Sequence, residues 1–222
     1  MKAGVITFPG SNCDRDIQTI LRDFFSVPTD MLWHGDSIQS SYDLLVVPGG
    51  FSYGDYLRAG AIARFAPAMR DLLNHASRGG PVLGICNGFQ ILCEAQLLPG
   101  ALIRNENLKH VCRDVSLRAN PGNQVFGKIA DELSIPVSHG EGNYRADQET
   151  LARLNGENLV AFRYLDNPNG SLEDIAGITS PDGRIIGMMP HPERATDPAN
   201  GKIQGKVILE SILNHISTAK VA

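Results

Sequence analysis

The sequence lacks a region of concentrated positive charge. Its 222 residues carry a formal net charge of -4, and no run of Lys or Arg interleaved with aromatic residues offsets it. Binding to a phosphate backbone depends on such a positive field. We therefore expect no nucleic-acid partner.

Long apolar runs are also missing. No stretch reaches the length that a membrane-spanning helix needs. The strand-like start at residues 4–8 is interrupted by Pro9 and Gly10 before it could form the core of a signal peptide. We expect no membrane partner and a cytoplasmic location.

Cysteine is scarce, and its spacing suggests neither disulfides nor zinc. The four cysteines stand at positions 13, 86, 93 and 112, without a C-x-x-C pair. A chain of this length does not need disulfides to fold. Most of the histidines are scattered, without the spacing of metal ligands. The sequence therefore predicts a reducing compartment and no metal site.

The composition is that of an ordinary globular protein. With 42% hydrophobic and 20% charged residues, the chain can bury a sizeable core. It contains no linker, internal repeat or low-complexity tract. We expect a single domain over residues 1–222.

Short apolar runs alternate with helix-length segments in the first half, a pattern typical of crossover units on a parallel sheet. The predicted strands are 2–8, 29–33, 44–47 and 81–85, and the predicted helices are 14–25, 61–77 and 88–98. Further strands near 111–117, 136–138, 159–163, 175–179 and 185–189 would extend or flank this sheet, before a last helix at 203–217. The pattern predicts an α/β fold.

The strongest local signal is Gly84-Ile85-Cys86-Asn87-Gly88, where a buried strand turns sharply into a helix. The same spacing with serine marks the nucleophile elbow of hydrolases. At such a turn the amide of Asn87 can donate to an oxyanion, and the helix N-terminus favours the thiolate of Cys86. A cysteine packed in a tight strand-to-helix junction would give the same motif, so the motif alone leaves both interpretations open.

A thiolate nucleophile needs a base, and His191-Pro192-Glu193 can provide one. Proline disfavours a helical conformation at His191, so an extended tripeptide would put the side chains of His191 and Glu193 on the same side. The triplet follows an apolar run, which places it at a strand end. Open α/β sheets have their sites at such ends.

A glycine-rich turn, residues 48–55, ends another predicted strand. Paired glycines allow close backbone approach, and Gly50 could offer a second N–H to an oxyanion. Taken alone, this segment is equally consistent with an ordinary strand-to-helix turn.

These three motifs, in this order, resemble the class I (triad) glutamine amidotransferases, a family with a flavodoxin-like, three-layer α/β fold and a mostly parallel central sheet. Within it, the flanking sequences are similar to the branch that supplies ammonia to phosphoribosylformylglycinamidine synthase in purine biosynthesis. The similar stretches are residues 8–14, 49–61, 84–90, 97–102, 136–144 and 189–194. One departure is Gln96, where similar sequences usually carry a small residue.

The resemblance implies a glutaminase that forms a thioester with L-glutamine. Cys86 would be the nucleophile, His191 the acid and base, and Glu193 its orienting carboxylate. Gly50 and Asn87 would form the oxyanion hole, and the wall that holds glutamine would contain Gln90, Ser138 and His139. Ammonia would pass to a PurL-type synthetase subunit that uses ATP and Mg²⁺, with a small PurS-type subunit bridging the assembly.

The chain itself shows no convincing nucleotide site. Residues 122–128 fit G-x-x-x-x-G-K, but Ile129 stands where a hydroxyl must reach magnesium, so we predict a loop. We therefore expect no cofactor in this chain.

Three alternatives remain. The first is a cysteine peptidase or chaperone-like relative, in which a histidine commonly follows the elbow cysteine, whereas Asn87 follows it here. The second is a glutamine sensor without activity, which would be expected to lack one of the three triad residues. The third is a glutaminase of the same class that serves another acceptor, and only the flanking sequence argues against it.

Overall fold

The computed structural model describes residues 1–219, which form eleven β-strands and five α-helices. The strands are β1 Ala3–Thr7, β2 Thr29–Trp33, β3 Leu44–Val47, β4 Val82–Ile85, β5 Ala101–Ile103, β6 Val111–Ala119, β7 Leu133–His139, β8 Asn143–Arg145, β9 Val160–Tyr164, β10 Ile175–Thr179 and β11 Ile185–Met188. The helices are α1 Asp14–Thr19, α2 Pro67–Ser77, α3 Asn87–Glu94, α4 Gln148–Gly156 and α5 Gln204–Ala219. None of the helices in this range is long and apolar enough to cross a membrane.

Nine strands form one sheet in the order β2-β1-β3-β4-β11-β10-β9-β6-β7. The first five are parallel, and each later neighbour is antiparallel to the one before it. In this sheet β10 and β6 therefore run opposite to the other seven strands. The predicted α/β fold with a mostly parallel sheet is confirmed, and the strands predicted after residue 103 extend that sheet.

The strand order reverses at β1. Helix α1 lies in the connection from β1 to β2 on one side, whereas the chain then crosses to β3 on the other side and continues through α2 to β4. Because such crossovers are right-handed, helices that lead in opposite directions cover opposite faces of the sheet. The result is three layers, with a reversal point of the kind where ligands bind at the carboxyl ends of the strands.

The central strands carry continuous apolar runs because both of their faces are covered. Every residue of β1, β3 and β4 is buried, whereas β2 at the edge is partly exposed along its length. These buried strands form a rigid base for the loops that follow their carboxyl ends.

The predicted helices differ in their bounds from the observed ones. The helix predicted for 14–25 is α-helical only to Thr19 and continues as a π-helical turn, Ile20–Phe24, and the last helix is shifted by one or two residues. The helix predicted for 61–77 begins only at Pro67, since Ala66 is extended (ψ 148°), as the residue before a proline tends to be. The helix predicted for 88–98 ends at Glu94. Here Gln96 takes a left-handed conformation (φ 59°), and the N–H groups of Gln96 and Leu97 bond back to the last turn.

The sequence patterns did not identify β5, β8 or α4. A signal for α4 is present in retrospect, because the Asp147 side chain accepts a hydrogen bond from the amide of Thr150 and caps the helix. β5 and β8 are three-residue strands that pair only with each other, which is too short for a pattern of alternation to show.

Candidate active site

Cys86 occupies a sharp elbow between β4 and α3. Its backbone has a positive φ (φ 51°, ψ -106°), a strained conformation for a residue with a side chain. A Cβ on Gly88 would lie 1.9 Å from the carbonyl oxygen of Val47, and one on Gly84 would lie 2.8 Å from the backbone of Gly88. The two glycines are therefore required by close backbone approach, as the elbow motif predicts.

His191 and Glu193 lie beyond the end of β11, the strand next to β4. The Nδ1 of His191 is 2.7 Å from Oε1 of Glu193, and both side chains are almost completely buried. Burial opposes protonation of the imidazole, but the Glu193 carboxylate and the nearby Cys86 thiol outweigh it and raise the pKa of His191 well above its ordinary value. This pairing favours the imidazolium form of His191.

Strand pairing holds the elbow against the His191 segment. The amide of Cys86 donates to the carbonyl of Met188 at 2.7 Å, and the amide of His191 donates to the carbonyl of Pro136 in β7 at 2.8 Å. The Sγ of Cys86 lies 3.5 Å from the carbonyl oxygen of Ser138. Elements far apart in sequence thus meet at one edge of the sheet. Within residues 1–219, the buried Nε2 of His191 forms no geometrically defined hydrogen bond, and the thiols of Cys86 and Cys13 are near the ring.

Cys13 lies at the start of α1 but does not cap it. It occupies the N-cap position of α1, but its side chain makes no capping hydrogen bond. Its buried thiol instead lies against the triad, where Cys13, His191 and Glu193 each place one polar atom within 4.8 Å of the others. Burial raises the pKa of the Cys13 thiol, although His191 acts in the opposite direction. No sequence signal could indicate this contact, because Cys13 and His191 are far apart along the chain.

Gly50 forms an isolated antiparallel bridge with Ser11. The hydrogen bonds of this bridge belong to its neighbours, from the amide of Phe51 to the carbonyl of Gly10 (2.9 Å) and from the amide of Asn12 to that of Gly49 (3.3 Å). The paired residues of such a bridge do not bond each other, which leaves the N–H of Gly50 available. A Cβ at Gly50 would lie 2.7 Å from backbone atoms of Gly10 and Ser11, so only glycine fits.

The buried side chain of Asn87 ties the elbow to the glycine-rich turn. Its Oδ1 accepts from the amide of Ser52 (3.1 Å), and its Nδ2 donates to Asp55 (3.1 Å) and to Gln90 (2.8 Å). Gln90 in turn donates to the backbone carbonyl of Glu141 at 2.5 Å. The sequence assigned a role only to the amide of Asn87, which begins α3 and has no partner within the helix.

Ser138 and His139 end β7 beside the elbow. The Oγ of Ser138 lies 3.1 Å from Nε2 of His110. The buried ring of His139 is held by Asn105 (3.2 Å) and Asn169 (3.4 Å). Burial, with some help from the neighbouring histidines, lowers the pKa of His139 to about 4, so the ring is neutral at physiological pH.

A cavity of about 250 Å³ opens over Cys86. Of the eight residues predicted for the site, it is lined by Gly50, Cys86, Gln90, Ser138 and His139. His191 and Glu193 lie behind Cys86, and Asn87 is hydrogen-bonded to Gln90 in the lining. The other residues that line the cavity are Phe51, Asp55, Arg104, Leu108, Lys109, His110, Gly140 and Glu141. Asp55 and Glu141 lie within the similar stretches 49–61 and 136–144, but no role was predicted for them.

The segment at 122–128 forms turns, as predicted for a loop. The side chain of Asn123 accepts from the amides of Val125 and Phe126, so part of the backbone that a phosphate would need is already occupied.

Comparisons with known proteins identify the family of this chain. Residues 1–210 match the family model of the CobB/CobQ-like glutamine amidotransferase domain. Two curated proteins, both called phosphoribosylformylglycinamidine synthase subunit PurQ, come from Leptospira interrogans, serovars copenhageni and Lai. Each is 52% identical over 217 residues, which is 96% of this chain and 99% of the relative. The chain belongs to this glutamine amidotransferase family.

Solved structures also resemble this amidotransferase. The structure of PurLQS from Thermotoga maritima contains a chain that is 38% identical, with a TM-score of 0.85 over 97% of this chain and 98% of that one. Another glutamine amidotransferase from Thermotoga maritima has a TM-score of 0.60 at 17% identity, over 98% and 92% of the two chains, and shows the shared fold alone. The resemblance seen in the motifs is thus confirmed, and the peptidase-like alternative is not supported.

Proposed function

We propose that this amidotransferase is the glutaminase subunit of phosphoribosylformylglycinamidine synthase in the cytoplasm. The observation that carries the proposal is the buried His191–Glu193 pair beside a strained cysteine that lines a cavity. The two 52% identical relatives carry this subunit's name, and the structural neighbour comes from a PurLQS complex. These relatives favour this acceptor over another glutamine-dependent synthase.

In the first half-reaction, the Cys86 thiolate attacks the side-chain amide carbon of L-glutamine. The carbonyl oxygen becomes an oxyanion that the N–H groups of Gly50 and Asn87 stabilise. His191, held by Glu193, gives its proton to the departing nitrogen, and the C–N bond breaks. The products are ammonia and a γ-glutamyl thioester on Cys86.

In the second half-reaction, His191 is the base. It takes a proton from a water molecule, which attacks the thioester carbonyl through the same oxyanion site, and the C–S bond breaks to regenerate the Cys86 thiolate. Glutamate leaves, so one glutamine and one water yield one glutamate and one ammonia. Gln90, Ser138 and His139 shape the wall around the substrate.

The ammonia is used by partner subunits. A PurL-type synthetase subunit would spend ATP, with Mg²⁺, to convert formylglycinamide ribonucleotide into its amidine, and a small PurS-type subunit would bridge the assembly. This division agrees with the loop at 122–128, where residues 123, 125 and 126 are already bonded to one another.

Reconstitution with PurL-type and PurS-type subunits tests the proposal. We expect glutamine hydrolysis to be coupled to ATP use only when formylglycinamide ribonucleotide is present. Cys86→Ala should abolish turnover with glutamine but keep turnover with ammonium. Cys112→Ala, at an exposed cysteine, is the matched control and should keep both activities. Retained glutamine use by Cys86→Ala would overturn the nucleophile assignment.

A diazoketone analogue of glutamine gives an independent measurement. It should label Cys86 and spare the exposed Cys112, because labelling requires the substrate site and not mere accessibility. Excess glutamine should protect Cys86, and mass spectrometry that finds the label elsewhere would contradict the assignment.

A further inference from the structure

Asp55 holds an unusual position at the mouth of the cavity. It ends the short 3-10 turn Ser52–Asp55 with a left-handed backbone (φ 52°), and Tyr53 (φ 54°) and Leu57 (φ 71°) are left-handed as well. Strain of this kind persists only where the surrounding structure imposes it, and it is frequent at ligand sites. The turn carries the Asp55 carboxyl to the same cavity as Cys86.

The Asp55 carboxyl is half-buried without a cation to neutralise it. Among the residues described, its hydrogen-bond partner is Asn87 (3.1 Å), and the nearby Arg58 is paired with Glu94 instead. Glu141 adds a second carboxylate to the same cavity, where it accepts from the amide of Ala59 (3.0 Å) and lies 4.0 Å from the exposed Arg104. Burial and the Glu141 carboxylate together raise the pKa of Asp55 to about 6. Two acidic groups that face a shared cavity disfavour each other's ionisation unless a ligand cation neutralises them.

The substrate in the proposed function carries such a cation. L-Glutamine has an α-ammonium and an α-carboxylate group at the end opposite to its reacting amide. Positive charge for the α-carboxylate is available from Lys109 and from Arg104, whose guanidinium lies 4.0 Å from Glu141; both residues line the cavity and are exposed. The cavity therefore offers both signs of charge next to the nucleophile.

We infer that Asp55, assisted by Glu141, binds the α-ammonium group of glutamine and makes the site select an α-amino acid amide over a simple amide. This inference rests on the proposed function, because it takes glutamine as the substrate. Asp55 is a substrate-binding residue in this account and takes no part in breaking the C–N bond.

The test uses the reconstituted synthase and two substrates, L-glutamine and 4-carbamoylbutanoate, which is glutamine without its α-amino group. The wild type should prefer glutamine. Asp55→Asn should raise KM for glutamine by about 10- to 100-fold, the range of a hydrogen bond between charged groups, with little change in kcat. Its kcat/KM for 4-carbamoylbutanoate should be unchanged, so the preference collapses.

Asp55→Gly is a second variant, included in case Asp55→Asn fails to fold. Glycine tolerates the left-handed backbone at this position, so this variant loses the carboxyl without added strain. It should show the same loss of preference. Asp131→Asn, at an exposed carboxyl away from the cavity, is the control and should keep the wild-type preference.

Two results would overturn the inference while leaving the proposed function intact. One is an equal loss of kcat/KM for both substrates, which would indicate a structural role for Asp55. The other is an unchanged preference in both Asp55 variants. By contrast, a wild-type synthase that uses ammonium but not glutamine would refute the proposed function itself.

Discussion

The imidazole of His191 and the carboxylate of Glu193 meet at 2.7 Å in a place that excludes water. The prediction of an extended tripeptide is wrong, because His191 is followed directly by the 3-10 turn Pro192–Ala195. The side chains of His191 and Glu193 still share one side of the chain. Because both are buried, neither group can exchange its partner for solvent. The pair therefore sets both the orientation and the charge of the imidazole that faces Cys86.

Glu193→Gln should lower turnover with glutamine by up to about 10⁴-fold, the loss seen when the orienting carboxylate of a serine triad becomes an amide. The uncharged amide no longer stabilises the imidazolium, so the pKa of His191 should fall. Glutaminase assays and NMR titration of the imidazole measure the two effects. Glu149→Gln, at an exposed position in α4, is the control. Unchanged turnover together with an unchanged titration would contradict the pairing.

The tight contact beneath the elbow leads to a prediction about stability. Gly88→Ala should destabilise the protein by several kcal/mol, or prevent its folding, because the added methyl group would overlap the carbonyl oxygen of Val47. Gly156→Ala is the matched control, since nothing lies within 4 Å of a Cβ built at Gly156. In α4 that change should stabilise by about 0.5–1 kcal/mol. Thermal unfolding of both variants measures the difference in stability. Similar changes in the two variants would show that the close contact between Gly88 and Val47 does not determine stability.

Most of the sheet could be predicted because each central strand is buried on both faces. β2, β3 and β10 have the predicted bounds, and other strands differ by a few residues at their ends. The bounds of the helices were harder to predict, because they depend on local backbone conformations at Ala66, before Pro67, and at Gln96, which the apolar periodicity does not show. The strand order and the antiparallel half of the sheet depend on pairings between distant segments.

The site also combines local features, which the sequence predicts, with contacts between distant segments, which it does not. The elbow and the His191–Glu193 pair are local, so their spacing was enough to bring them into consideration. The approach of Cys13 to His191 and that of Asp55 to Glu141 are products of the tertiary fold. No sequence spacing encodes such contacts.

Cys13 should influence the reaction through His191. Cys13→Ala removes a thiol that helps to raise the pKa of His191, so kcat should fall several-fold. KM should be unchanged, because Cys13 does not line the cavity. Cys93→Ala loses the same side chain from another buried position and should leave kcat intact. Steady-state kinetics measure kcat and KM of both variants. An equal fall in kcat in the two variants would indicate that the loss of packing, and not the contact with His191, is the cause.

Gln96→Gly should stabilise the fold by about 1 kcal/mol, because an exposed glutamine is strained in a left-handed conformation that glycine adopts freely. For a chain of this size the midpoint of thermal unfolding should rise by about 2–4 °C. Gln96→Ala keeps a Cβ and should give no such gain. If both variants gain equally, the glutamine side chain and not the backbone is the cause.

The stability of the protein should depend on pH through Asp55. Its pKa is raised from 3.8 to about 6 in the folded state, so the folded protein holds the proton more tightly than the unfolded chain. The stabilisation from this proton is complete below about pH 4 and is lost as the pH rises through 6. Asp55→Asn cannot lose a proton and escapes this loss. For a fully shielded group the difference at pH 7 would be about 3 kcal/mol, and partial exposure reduces it to about 1 kcal/mol.

Urea unfolding of the wild type and Asp55→Asn at pH 4 and pH 7 measures this difference. We expect equal stabilities at pH 4 and a more stable variant at pH 7, while Asp131→Asn should follow the wild type at both. A variant that gains stability at neutral pH and also loses its preference for the α-amino group would show that the destabilising Asp55 carboxylate serves substrate binding, since sites that bind ligands commonly sacrifice stability. If Asp55→Asn is less stable at pH 7, the carboxyl holds the turn together, and its position at the cavity has a structural explanation.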